Sequence, residues 1–441
     1  MQDMTTGSIS RHLVRYALPM VLGNLMQLTY NAADSVIVGK CLGQDALAAV
    51  STANPIMTLM VLGASGIGIG ASVIMSRLYG AKQMEALKRE FATTLIFSTF
   101  FSLAVFAAGF TLAGQLLALT NTPADILPTA AGYLRIVFVG FLFTFQYNIL
   151  SHAMRGIGDS KTPVLFLGLS CGLNIGLDLL FVAALNLGVA GVGTATALSQ
   201  AVSALLCLWW ISRRVPALHL TAKDLRIDRE LLAQTVKSGA LTALQQAAQP
   251  VGKVMIQSVI NAHGTVAIGA FNAVCRVDDF ACIPAQSIGS GIMTCTAQNR
   301  GARKADRVAA TLTRGMGVAL CWFPIICSVT LLFRGPLMAL LCPDSSRDMM
   351  QMGMEYLAIK AWLFVLPCAT NALQGYFRGM GHMSIVLCAT VMQISIRALC
   401  VWLWVPVMGI SGEAWGCLAG WTCMLVFETI LLQVMRRRGT L

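Results

Sequence analysis

Twelve apolar runs, each of twenty or more residues, limit what this chain can fold into. They fall at 16–38, 46–74, 91–113, 129–152, 162–183, 190–211, 237–260, 266–293, 313–333, 354–376, 383–404 and 411–434. A helix needs about 20 apolar residues to cross the hydrocarbon of a bilayer. Composition points the same way: 56% of residues are hydrophobic and 11% charged, with a mean hydropathy of +0.72. A water-soluble fold has too little interior to hide that much apolar surface. The expected fold is an all-α polytopic membrane protein with twelve transmembrane helices. The first run follows Arg11 and Arg15 and is long enough to stay as an anchor, so no cleaved signal peptide is expected.

The net charge of +12 invites a nucleic-acid reading, but the placement of the charges removes the need for one. With the N-terminus inside, 23 of the 31 Lys and Arg fall in inner loops and 3 (Lys40, Arg334, Arg347) in outer loops. Arg135, Lys253, Arg276, Lys360 and Arg397 lie in or at the edges of spans. Such a bias orients a membrane protein. It predicts a multi-pass protein of the plasma (inner) membrane with both termini cytoplasmic and no nucleic-acid partner. The 14 Cys contain no CxxC pair and sit mostly in apolar runs, where they act as small hydrophobes. The five His show no ligand spacing, and no GxSxG, HExxH or Walker A motif appears. Neither a resident metal of that kind nor an ATPase or hydrolase site is expected, and a monomer is.

The longest non-apolar stretch, 212–236, divides the chain into an N-lobe at 1–211 and a C-lobe at 237–441, joined by a cytoplasmic linker. The halves resemble each other. At a shift of 221, eight of forty positions from Ala46–Glu85 are identical with Ala267–Asp306, including Gly68/Gly289, Gly70/Gly291 and Gly80/Gly301. That shift also pairs Gly188 with Gly409 and Gly191 with Gly412; a shift of 223 pairs Arg155-Gly156-x-Gly158 with Arg378-Gly379-x-Gly381. Each half has an even number of spans, so both enter from the same side. The repeats are therefore parallel, related by a pseudo-two-fold along the membrane normal. Two lobes rocking about a central cleft is a transporter plan.

Polar residues inside the spans mark the candidate site. An acid at the middle of a membrane helix costs at least about 2.5–3.5 kcal/mol. Asp34 nevertheless lies in span 1, on a stripe with Asn24, Gln27 and Asn31; Pro19, a few turns earlier, can kink the helix. Asn174 and Asp178 are one turn apart in span 5, opposite the close-packing run Gly168, Gly172, Gly176. An amide and a carboxylate so spaced suit a hard cation such as Na⁺, by extension from Ca²⁺ and Mg²⁺; a proton on a buried Asp is the alternative. A structural network gluing helices together competes with both. Thr196 is either a further ligand or a helix-packing hydroxyl. In span 7, Gln245, Gln249, Lys253 and Gln257 share a face, and Gln245 lies over Asn24 in the repeat, giving matching polar walls. Lys253 either pairs with Asp278 or Asp279 or lines a substrate cavity. Tyr133 and Arg135 fit an interfacial role as well as a cavity role.

These features resemble the MATE family, the multidrug and toxic compound extrusion transporters. The resemblance spans nearly the whole chain. It rests on Leu18-Pro19, then Tyr30-Asn31-Ala32-Ala33-Asp34 and Gly43, then Arg155-Gly156-Ile157-Gly158-Asp159-Ser160-Lys161-Thr162-Pro163, Asn174-x-x-x-Asp178 and Gly188-x-x-Gly191. In the second half it rests on Arg276-Val277-Asp278, Pro284 and Gln298-Asn299-Arg300-Gly301-Ala302. It implies two lobes in a V shape and cation-coupled efflux of small organic compounds. The family's N-lobe cation site carries over to Asp34, Asn174, Asp178 and Thr196, where Na⁺ would bind, or a proton in its place. Gln27 and Tyr133 match polar positions near it, and Pro19 matches the family's kink-forming proline. One branch places further carboxylates in spans 7 and 10; here span 7 has Gln and Lys, and span 10 has only Glu355 near its outer end. Asp278 is an alternative C-lobe acid. No cofactor is implied beyond the coupling ion, Na⁺ or H⁺.

The expected function is thus an antiporter that exports amphipathic, often cationic, compounds by alternating access. Its cleft would be apolar, with Gln27, Asn31, Tyr133, Gln249, Lys253 and Asp278 among the lining residues, and membrane lipid around it. The competing reading is a lipid-linked oligosaccharide or lipid flippase with a cationic cavity (Lys253, Arg276, Arg397). An intramembrane enzyme is disfavoured: Asp278 and Asp279 are adjacent and point about 100° apart on a helix, a poor dyad.

Overall fold

A membrane-embedded backbone must satisfy its own hydrogen bonds, and this chain does so with helices throughout. The computed structural model describes residues 2–120, 122–221, 223–342 and 346–438, and among these there is no strand. The helices are α1 (Ile9–Gly80), α2 (Met84–Leu119), α3 (Leu127–Gly156), α4 (Lys161–Asp178), α5 (Gly188–Arg214), α6 (Arg229–Asn261), α7 (Gly264–Gly301), α8 (Ala305–Leu332), α9 (Arg334–Leu341), α10 (Arg347–Leu363), α11 (Val365–Gly379), α12 (Met383–Met408) and α13 (Ser411–Arg437). A π-helical stretch, Leu179–Ala184, extends α4.

Among the described residues, eight helical stretches are long and apolar enough to cross a membrane, and α10 with α11, bent by 43°, makes a ninth. The other three apolar runs lie in the first part of α1, in α6 and in α7. They are helical as well, and they are the runs that carry the polar stripes around Asp34, Gln249 and Asp278. The chain is a twelve-span, all-helical membrane protein.

Three details depart from the simple picture of uniform spans. Spans 1 and 2 run on as one helix, interrupted only at Gly43 (φ 85°, ψ −174°), a conformation open almost only to glycine. Span 10 breaks after Leu363, because Pro367 has no N–H to offer the Leu363 carbonyl. The non-helical linker is shorter than the charged stretch suggests. α5 continues to Arg214, and α6 starts at Arg229, where the Asp228 carboxylate accepts from the N–H groups of Glu230 (3.1 Å) and Leu231 (3.2 Å) as an N-cap. Pro19 itself leaves the backbone dihedrals helical.

The chain forms two compact units, one of residues 1–3 and 22–243, the other of 4–21 and 244–441. In the first, Phe91, Leu150, Met154 and Ile211 pack into one core and Leu117, Leu134, Phe138 and Val192 into a second. In the second unit, Leu13 and Tyr16 pack against Ile292, Tyr376 and Phe377. The N-terminal arm is clamped there by cations: Lys304 donates to the Thr5 carbonyl (2.8 Å), and Arg307 donates to the carbonyls of Met4 (3.0 Å) and Gly7 (3.0 Å).

The repeat is written into the backbone. Positive φ recurs in pairs: Gly43 (85°) with Gly264 (86°), Lys82 (58°) with Arg303 (55°), Gly158 (84°) with Gly381 (81°), and Gly188 (62°) with Gly409 (63°). The second and third of these sit where helices end and the chain turns. The offset is 221 for every pair except Gly158/Gly381, where it is 223.

Candidate functional site

Three helices of the first unit deliver a cluster of oxygens. α1 presents Gln27, Tyr30 and Asp34. α4 presents Ser170, Asn174 and Asp178, spaced four apart and hence on one face. α5, packed on α4, presents Thr196, Ser199 and Gln200. Asp178 is fully buried and Asn174 almost so. In the amide orientation that satisfies both ends, Asn174 donates to Asp178 Oδ2 at 2.9 Å and accepts from the Thr196 N–H at 3.2 Å. The Tyr30 hydroxyl pairs with Thr196. The carboxyls of Asp34 and Asp178 meet at hydrogen-bonding range. One oxygen of each, Oδ1, is buried with no partner among the described residues.

Two carboxyls in contact repel each other unless a proton or a cation lies between them. The groups on offer are chiefly oxygens (two carboxyls and hydroxyls), with the Asn174 amide bracing Asp178, which suits a hard monovalent cation or a proton. Beside it, Gln27, Tyr30, Leu167, Ser170, Cys171, Asn174, Thr196, Ser199 and Gln200 line a cavity with room for about one water-sized occupant. Along α4 and α5 this cavity lies on the Lys161 and Arg214 side of the acid pair. Asp178 is followed at once by the π-helical turn, a feature frequent at functional sites.

The other candidate residues fall in several places. Gln27 lines the cavity, while Asn31 is exposed. Tyr133 is buried against the cluster, with its hydroxyl 3.9 Å from Met57 Sδ. In the second unit Gln249 is exposed, and Lys253 pairs with Asp279 at 3.5 Å, both half-exposed. Asp278 belongs to a separate group: Lys360 holds it at 2.8 Å, and Lys360 also donates to Cys417 Sγ at 3.3 Å. Cys417 lies 3.3 Å from Glu413 Oε1, and fully buried Glu413 accepts from Tyr356 and Arg397. Gln245, expected to line a polar wall, is buried instead, donating to Thr390 (3.2 Å) and accepting from Arg378 (2.8 Å).

Sequence reasoning missed Ser170, Ser199 and Gln200, and it missed Glu413. A signal existed for the first three. Ser170 continues the Asn174–Asp178 spacing one turn back, and Thr196, Ser199, Gln200 and Ser203 form a polar stripe along α5.

A multi-span helical membrane protein built from two copies of one unit, with two acids in contact in the first, is the class that fold and site define. This chain belongs to the MATE family of membrane transporters: the MatE family profile matches it twice, over residues 19–180 and 242–403. The two matches are offset by 223, one of the two repeat offsets. The chain is 31% identical over 306 residues to the probable multidrug resistance protein YpnP of Bacillus subtilis, covering 69% of this chain and 68% of that one. It is 28% identical over 402 residues to the probable multidrug resistance protein YoeA of the same organism, covering 89% and 85%. A crystal structure of MATE in complex with MaL6 shares the fold, with a TM-score of 0.91 at 23% identity over 99% of this chain and 97% of that one.

Proposed function

We propose that this protein is a cation-coupled antiporter that exports small, amphipathic organic compounds, often cationic, by alternating access. The observation that carries the reading is the contact between the Asp34 and Asp178 carboxyls in the first unit, braced by Asn174 and Thr196 beside a water-sized cavity. Family membership and the names of YpnP and YoeA, both called probable multidrug resistance proteins, support the choice of cargo. Na⁺ or H⁺ entering down its gradient neutralises the acid pair. The free pair repels itself and the loaded pair does not, so loading changes the relative stability of the states in which the helices carrying it can pack. By linkage, the ion drives export only as far as it favours one state, or competes with cargo for it. We place the protein in the plasma (inner) membrane with both termini cytoplasmic, on the strength of the charge bias of its loops.

The test is export of ethidium from proteoliposomes under an imposed Na⁺ gradient and, separately, a pH gradient. Wild type runs beside Asp34→Asn and Asp178→Asn. Gradient-driven export lost in both variants supports the reading and names the ion. Folded wild type that moves ethidium under neither gradient overturns it and turns attention to lipid-linked cargo.

A further inference from the structure

The second unit holds a buried polar cluster of its own, and the repeat aligns it with the acid site of the first. The paired positive-φ residues fix the offset on each segment: 221 up to Lys82, 223 on the segments flanking Gly158, and 221 again from Gly188. On these offsets Met57 corresponds to Asp278, Tyr133 to Tyr356, Asn174 to Arg397 and Thr196 to Cys417. All four residues of the second unit belong to one network. Lys360 reaches Asp278 at 2.8 Å and Cys417 at 3.3 Å, and Tyr356 and Arg397 both donate to Glu413.

The chemistry of the two clusters differs in one respect. The acids of the first unit have no counterparts, since Asp34 aligns with Met255 and Asp178 with Val401. The second cluster has two acids of its own, Asp278 and Glu413, each matched by a base, Lys360 and Arg397. Neither Asp34 nor Asp178 forms a salt bridge among the described residues. A site away from water attracts a mobile cation when its negative charge is not already matched. By that measure the first cluster is open to an ion and the second is satisfied.

We infer that the second cluster is the repeat counterpart of the coupling site with its cation built in. Arg397 stands where Asn174 stands in the first unit, and with Lys360 it supplies the positive charge that the first unit leaves to an exchangeable ion. Coupling ions therefore bind at the first cluster and not at the second, which keeps one electrostatic state through the cycle. This inference rests on the coupling role proposed above for Asp34 and Asp178.

The test counts cations bound by the purified full-length protein in detergent, with radiolabelled Na⁺ as one probe and dye-monitored proton uptake, as a difference from each variant, as the other. One exchangeable cation per chain is expected in wild type and none in Asp34→Asn/Asp178→Asn, whose second unit is untouched. Arg397→Asn, which restores the first unit's residue, is expected to gain a second cation that Arg397→Asn/Glu413→Gln loses again. A cation still bound by Asp34→Asn/Asp178→Asn overturns the inference, and that measurement needs no variant of the second cluster. So does folded Arg397→Asn that binds no more than wild type. Wild type that binds neither probe is a different result, which brings down the antiporter reading itself.

Discussion

Gly43 and Gly264 lie 221 residues apart and adopt the same left-handed φ, 85° and 86°. Each sits between the first and second spans of its half, where a helix must break and restart. A side chain at such a position costs about 1–3 kcal/mol, and neither glycine has a heavy atom within 4 Å of where a Cβ would be. Strain is therefore isolated from crowding. Gly43→Ala and Gly264→Ala are each expected to lower the thermal midpoint of the purified protein in detergent. Gly39→Ala is the control: its Cβ would meet Leu47 at 3.6 Å, an ordinary contact, and the helix gains propensity. Equal midpoints for all three would show that the breaks carry no strain.

Thr235 on α6 donates to Glu90 Oε1 on α2 at 2.5 Å, and Thr94 adds a second hydrogen bond at 3.1 Å; all three residues are fully buried. The pair fastens the start of α6 to the first unit. Thr235→Val keeps the shape and removes the donor, leaving Glu90 under-satisfied at a cost of about 1–3 kcal/mol. Thr235→Ser keeps the hydroxyl and is expected to retain most of the stability. Denaturation of the two variants side by side checks the difference, and a Val variant as stable as the Ser variant would deny the hydrogen bond its role.

Much of the candidate site could be read from sequence because the membrane makes polar residues conspicuous. Asp34, Asn174 and Asp178 stand out for their cost in lipid and their helical spacing, and the structure brings them together. Which helix faces which is another matter, since a stripe gives a face and not a neighbour. Lys253 thus meets exposed Asp279, while Asp278 takes Lys360 from α10. Glu413 escaped notice because it lies two residues into its run, where an acid passes for an interfacial one; it is fully buried. Gln245 has the polarity of a cavity wall, but long-range packing spends it on Thr390 and Arg378. The break in span 10 was announced by Pro367, but hydropathy averages across it.

Asn174 links Asp178 to the Thr196 backbone in a site proposed to bind a cation. Groups that orient or complete an ion site typically change affinity 10–100-fold when removed. Asn174→Ala is expected to raise the ion concentration for half-maximal ethidium export by roughly that factor, with the maximal rate less affected. Thr196→Val removes only the hydroxyl and keeps the backbone N–H that Asn174 uses, so its effect should be smaller. Half-saturation by Na⁺ or H⁺ in proteoliposomes measures both, and the reverse ranking would assign the ligand role to the threonine.

Lys360 and Asp278 form a largely buried pair at 2.8 Å, and their single and double variants should behave very differently. Removing one partner of a buried pair strands the other's charge, at about 3–5 kcal/mol, whereas replacing both by neutral residues of similar size is often close to neutral. Lys360→Met alone is therefore expected to be strongly destabilised, because Asp278 loses its base and Glu413 is left to Arg397. Asp278→Asn/Lys360→Met should recover most of the loss. The recovered protein should also export ethidium with the same ion dependence as wild type, since the proposed coupling acids are Asp34 and Asp178 of the other unit. Denaturation in detergent reads the first expectation and gradient-driven export the second. A double variant that is stable but uncoupled would make the pair a working part of the cycle; one that is coupled leaves it a built-in charge pair.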